Sequence, residues 1–181
     1  MNRDNYEKVL SIICDVLKDW EGSWALTGGA SLFARGMISD TEDIDILMTK
    51  ECALFLSKRL KQYVLQATAF LESKNIKSIF GKYRIEGVVI EIMAEVSNKS
   101  SLGEWLPHTE WLQHIEMIEI GRLSVPMLSL IYEARINSII GNINRVKIIS
   151  QYLPNIELKN AEQTNPRAKI NPNRRDETQG L

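Results

Sequence analysis

Thr27-Gly28-Gly29-Ala30-Ser31-Leu32, followed after a short interval by Thr41-Glu42-Asp43-Ile44-Asp45-Ile46-Leu47, is the stretch on which the reading of the whole chain turns. Residues 23–27 (Ser-Trp-Ala-Leu-Thr) are short and apolar enough for a buried strand, and they run straight into two glycines. A glycine pair at the end of a strand marks a place where backbone comes close to something else. Residues 30–35 can then form a short helix ending at Gly36, whose first N–H groups and the Ser31 hydroxyl would make a cradle for phosphate. Residues 43–48 (Asp-Ile-Asp-Ile-Leu-Met) alternate acidic and apolar at their start, which puts Asp43 and Asp45 on one face of a strand. Two carboxylates at that spacing repel each other unless a divalent cation neutralises them. Each half of the pattern alone is a common turn or a solvated strand end; in this order they imply a metal-bound polyphosphate.

A third carboxylate would complete such a centre. Residues 78–86 and 88–96 flank Gly87, are rich in β-branched and aromatic residues, and read as two antiparallel strands joined by a tight turn. In the second strand, alternation gives an apolar face of Val88, Ile90, Ile92 and Ala94. The opposite face carries Val89, Glu91, Met93 and Glu95, and Glu91 is the better placed of its two acids.

The remaining segments supply a frame. Tyr6, Val9, Leu10, Ile13, Val16, Leu17 and Trp20 form a helical stripe over residues 4–20, with Asp4 and Glu7 as its capping pair. Thr49 is expected to cap a long helix reaching about Ser73, buried through Cys52, Leu56, Leu60, Tyr63, Leu65 and Phe70. A loop with Trp105, Pro107, His108 and Trp111 precedes strands at residues 115–120 and 123–125. Pro126 then suits a first helical position, with helices over residues 127–140 and 144–153. Residues 1–153 thus read as one α/β (α+β) domain: N-terminal helix 4–20, sheet core 23–125 and C-terminal helices 126–153. Residues 154–181 are polar and read as a flexible tail unable to offset its own ordering entropy.

Composition narrows the function classes. A net charge of −1 gives no global attraction to nucleic acid or anionic membrane, which disfavours extensive tRNA contact without excluding it. No apolar run is long enough to span a bilayer and no signal peptide opens the chain, so the expected compartment is the cytoplasm. Cys14 and Cys52 lack CxxC spacing and read as reduced core thiols. His108 and His114 have no partner at ligand spacing and are left outside the site, while Trp105 and Trp111 read as anchors of their loop. Neither GxxxxGK[ST] nor GxGxxG is present, so P-loop and dinucleotide-binding readings fall away.

The pair of motifs, residues 27–32 and 41–47, resembles the signature of the polymerase-beta-like nucleotidyltransferase superfamily. The nearest likeness is to its small bacterial and archaeal members, the aminoglycoside and lincosamide nucleotidyltransferases and the abortive-infection toxins. Residues 124–130 and the helices after them extend the likeness to about Leu153. The resemblance implies a nucleotidyltransferase fold, a mixed sheet flanked by helices. It also implies transfer of a nucleoside monophosphate to an acceptor hydroxyl with release of pyrophosphate. By the same resemblance, Asp43, Asp45 and Glu91 hold Mg2+, two ions in all, and Glu91 helps deprotonate the acceptor. Gly28, Gly29 and Ser31 bind the triphosphate, with ATP the expected donor. Arg35 stands in for an arginine that relatives carry where this chain has Ser39, and Glu91 replaces the usual aspartate. The resemblance leaves the acceptor open and admits a homodimer or protein partner. The competing reading is a non-catalytic nucleotidyltransferase-fold binding protein, such as a toxin-antitoxin component.

Overall fold

A computed structural model of the protein describes residues 2–100 and 102–153; the tail assigned to residues 154–181 lies outside the described residues. Helix α1 (Arg3–Leu17) buries Tyr6, Val9, Leu10, Ile13 and Leu17, the stripe expected from the spacing. Its cap is Asn2, whose side chain accepts the Asp4 N–H at 2.9 Å, while Glu7 pairs with Arg3 instead of closing a capping box. Strand β1 (Trp24–Thr27) leads into α2 (Gly28–Ala34), and β2 (Asp43–Met48) returns antiparallel to β1.

Helix α3 (Lys50–Arg59) starts as expected, with the Thr49 hydroxyl accepting the Cys52 N–H. It stops far short of Ser73. A 3-10 turn over Lys61–Tyr63 gives way to strand β3 (Val64–Glu72), which pairs with β4 (Ile76–Ile85). Leu65 and Phe70, expected on a buried helix face, are 47% and 65% exposed on this edge strand. Strand β4 turns into β5 (Val88–Lys99) through Glu86 and Gly87, whose φ values of 50° and 80° are what a two-residue hairpin of right-handed twist needs.

Within the segment expected to be a loop, β6 (Trp105–Pro107) adds a short partner to the end of β5, and buried Trp111 anchors a 3-10 turn. Strands β7 (Ile115–Ile120) and β8 (Leu123–Leu128) form a hairpin that carries Pro126 inside the second strand. The helix expected to start there begins later, as α4 (Leu130–Ile139), because Ser129 provides the cap through its side chain to Tyr132 N. Helix α5 (Ile143–Tyr152) closes the described chain, capped by Asn142.

The strands form one mixed sheet in the order β3-β4-β5-β2-β1-β8-β7, parallel at β2–β5 and β1–β8. Helices α1 and α3 cover one face over Ile44, Ile46, Ile90, Ile92 and Ala94. Helix α4 covers part of the other, where Ala25, Leu47, Val96 and Leu128 pack with Tyr132 and Trp111. Fully burying side chains of this kind stabilises by roughly 1.5–3 kcal/mol each. Because β2 and β5 sit at the centre with one face wholly apolar, their alternate residues are forced to the other face. Cys52 is buried and Cys14 half-buried, both as free thiols in or against the first core, as expected. Among the described residues no helix is long and apolar enough to cross a membrane.

Candidate metal and nucleotide site

The register of the central strands brings the three acids together. Strands β2 and β5 are parallel with Asp45 opposite Glu91, and Asp43 lies two residues earlier on the same face as Asp45. One carboxylate oxygen from each of Asp43, Asp45 and Glu91 lies within 4.8 Å of the others. Three hard oxygen donors at this separation suit a small divalent cation such as Mg2+, and their mutual repulsion is a further reason for one. Burial first, then the neighbouring Glu91, raises Asp43 above the usual carboxylate range. Asp45 is pushed up to about 7, by burial above all and then by Asp43 and Glu91.

Glu95, the weaker candidate for third acid, is excluded by a local irregularity. Ile79 pairs with Ala94 but Lys77 pairs with Ser97, so β5 contains one extra residue, and Glu95 there has a φ of 51°. The bulge sends Glu95 to Lys50 of α3, at 3.7 Å, and places Val96 beside Met93 along the face that carries Glu91.

The glycines serve the acids as much as any ligand. A Cβ on Gly28 would collide with Asp45 Oδ2, and one on Gly29 would lie 2.8 Å from Thr41 Oγ1. Gly28 also has a φ of 64°, a conformation costly for any residue with a side chain. Its N–H donates to Glu133 Oε1 at 2.9 Å, and the Thr27 hydroxyl donates to the same oxygen at 2.7 Å. Glu133, buried on α4, therefore pins the strand-to-helix turn from above; burial raises it above the usual range despite these two bonds. Ser31 is fully buried and accepts a hydrogen bond from Arg35, which also donates to Leu128 O at 3.0 Å and approaches Glu116 at 3.4 Å. These two expected phosphate ligands are thus bonded to each other and to β8, whereas Gly28 adjoins the acid cluster directly.

Three charged residues join the site without having been singled out from the sequence as its members. Lys82 pairs with Glu91 across the β4–β5 hairpin, which raises the lysine. The signal was available: in a hairpin turning on Glu86 and Gly87, residue 82 faces residue 91. Arg145 of α5 acts electrostatically on Asp43, Asp45 and Glu133, offsetting a small part of the rise that burial causes in each, and lies 3.7 Å from where a Gly29 Cβ would stand. Glu133 and Arg145 come from helices whose docking the sequence pattern does not encode. His108, set aside by its sequence context, borders a cavity of about 230 Å³ beside Asp45. His114 instead stacks on Tyr132, with ring centroids 4.6 Å apart.

Comparison with known proteins bears on the family and the fold. A candidate nucleotidyltransferase of Thermotoga maritima is similar in structure, with a TM-score of 0.71 and 27% sequence identity, covering 85% of this chain and 96% of that one. The lincosamide antibiotic adenylyltransferase LnuA, solved with lincomycin bound, shares the fold at a TM-score of 0.52 and 14% identity, over 80% of this chain and 96% of that one. So does the antibiotic-resistance factor ANT(2'')-Ia, at a TM-score of 0.51 and 11% identity in its complex with adenylyl-2''-tobramycin, over 81% of this chain and 88% of that one. No protein of curated function matches the chain. The family model of the aminoglycoside-2''-adenylyltransferases matches residues 9–148, which span the acid cluster, the glycine turn, α4 and the first part of α5; the chain belongs to that family.

Proposed function

We propose that the protein is a magnesium-dependent nucleotidyltransferase that moves a nucleoside monophosphate from a nucleoside triphosphate, ATP in the first instance, to an acceptor hydroxyl. The observation that carries this reading is the convergence of Asp43, Asp45 and Glu91 within 4.8 Å on the open face of the central strands. In the reaction the acceptor oxygen attacks the α-phosphorus in line, the bond to the pyrophosphate oxygen breaks, and the hydroxyl proton passes to Glu91. Bound Mg2+ would neutralise charge on the entering oxygen and on the leaving pyrophosphate. The chain's own work is to hold the three carboxylates at one point, to balance Glu91 with Lys82, and to place the triphosphate near Gly28, Gly29 and Arg145, with Ser31 and Arg35 bonded to each other behind that turn.

The intact acid set favours a metal–nucleotide centre over a role in protein binding alone, since three clustered carboxylates repel one another unless a cation joins them. Adenylyltransferases among the structural neighbours make ATP the first donor to test, and their antibiotic ligands make hydroxyl-bearing lincosamides and aminoglycosides the first acceptors. The experiment supplies the protein with each α-labelled nucleoside triphosphate and Mg2+, together with lincomycin, tobramycin or a cell extract. Label is expected to move to a hydroxyl-bearing product with stoichiometric pyrophosphate, and chelation by EDTA should stop it. Transfer that is indifferent to EDTA, or none with any acceptor source, would sink the proposal.

A further inference from the structure

Next to Asp45, between the open face of the sheet and α4, lies the cavity of about 230 Å³. Its walls are largely apolar, with Leu47 and Met93 from the sheet and Ile136 and Ile140 from α4. That volume is below the roughly 300–1,000 Å³ of pockets that enclose a whole ligand, so it suits one flat part of a larger molecule. Two buried polar atoms at its border have no hydrogen-bond partner among the described residues: Asn137 Oδ1 and His108 Nε2. Asn137 is only 2% exposed. Its orientation is fixed, because its Nδ2 donates to the Glu133 carbonyl at 2.8 Å, which leaves Oδ1 as an acceptor for something brought from outside. A buried acceptor without a donor is costly, and a ligand that brings an N–H removes the cost.

The cavity also has a side. It is bordered by Thr27, Gly28 and Arg145, the triphosphate end of the proposed site, and by Asp45 alone of the three acids. Glu91, where the acceptor hydroxyl would give up its proton, is not part of its wall. We infer that this slot seats the nucleobase of the donor triphosphate and that Asn137 selects a base with an exocyclic amine, adenine foremost, by accepting one of its N–H groups. The inference rests on the proposed transferase reading. Burial and the nearby Arg135 lower His108 to about 4, so the ring beside the slot is neutral and does not repel the electron-poor edge of a base.

The test measures binding by the full chain, in Mg2+, of ATP, of purine riboside triphosphate, which lacks the amine, and of inorganic tripolyphosphate. Wild-type protein should bind ATP at least about tenfold tighter than either of the others, as expected when one buried hydrogen bond is lost. Asn137→Leu should bind ATP about tenfold more weakly, no longer distinguish it from purine riboside triphosphate, and bind tripolyphosphate as before. Equal binding of ATP and purine riboside triphosphate by wild type would overturn the inference without any variant. So would an Asn137→Leu protein that weakens all three alike. Tripolyphosphate binding separates the two levels: if it persists while base discrimination is absent, only the slot assignment fails. If no ligand binds, the transferase reading fails and takes the slot with it.

Discussion

Replacing Asp45 by asparagine should abolish nucleotidyl transfer and, in the absence of metal, make the protein more stable. Loss of activity follows from removing one of three cation ligands; at several kcal/mol of transition-state stabilisation, the rate should fall by about 10^3-fold or more. The gain in stability follows from burial. Asp45 is raised from 3.8 to about 7 in the folded protein, so between those pH values the folded state holds a proton that the unfolded state has released. Stability linked to this group is therefore fully present below pH 4, declines as pH rises, and is lost above about 7. At roughly 1.4 kcal/mol per pKa unit the effect is on the order of a few kcal/mol. A neutral amide in its place carries no such penalty, so in EDTA at pH 8 the Asp45→Asn variant should melt at a higher temperature than wild type. Its stability should also lose the decline between pH 4 and 7. A variant that melts lower at pH 8 would show that the carboxylate is not held in a strained, metal-seeking state.

Gly28→Ala should be nearly as damaging to activity, by a different route. The new methyl would collide with Asp45 Oδ2, so the carboxylate must leave the cluster, and the φ of 64° adds roughly 1–2 kcal/mol of backbone cost. Displacing a catalytic group by about 1 Å can cost about 10^2-fold in rate, and that is the loss expected here. Gly36→Ala is the matched control. Gly36 has a φ of 70° with nothing within 4 Å of its notional Cβ, so the variant should share the stability loss and keep transfer activity. Equal activity in the two variants would mean that Gly28 is needed for its backbone conformation alone.

The fold was most legible where one strand face is buried. Ile44 and Ile46, and Val88, Ile90 and Ile92, are driven to the helix-covered face, and that fixes Asp43, Asp45 and Glu91 on the other. Strand β3 carries no such signal: it is an edge strand with Val64, Leu65, Phe70 and Leu71 all exposed, so no alternation of burial marks it. Its apolar residues instead continue, by accident of spacing, the helical pattern of Cys52, Leu56 and Leu60. Pro126 is likewise ambiguous in the sequence. Proline is favoured at helix starts, but here it lies in β8, and the helix is set by Ser129 three residues later. The bulge at Glu95 escapes any strict alternation rule, since one inserted residue reverses the faces beyond it.

The candidate site was legible in its acids and less so in its surroundings. Asp43, Asp45 and Gly28 announce themselves by local order, and Glu91 follows from a single hairpin. Glu133, Asn137 and Arg145 reach the same region only because α4 and α5 dock on the sheet, through Leu32, Ala134 and Ile149 among others. Nothing in their own neighbourhoods distinguishes a buried glutamate from a solvated one.

The central claim is that Asp43, Asp45 and Glu91 together form one divalent-cation site, and titration of Mn2+ into the metal-free protein at pH 8, followed by the loss of the free-ion resonance signal, tests it most directly. Saturable binding by wild type, weakened about tenfold or more in Glu91→Gln, is the expected result. Binding unchanged by Glu91→Gln, or no saturable binding by the wild-type protein, would contradict it.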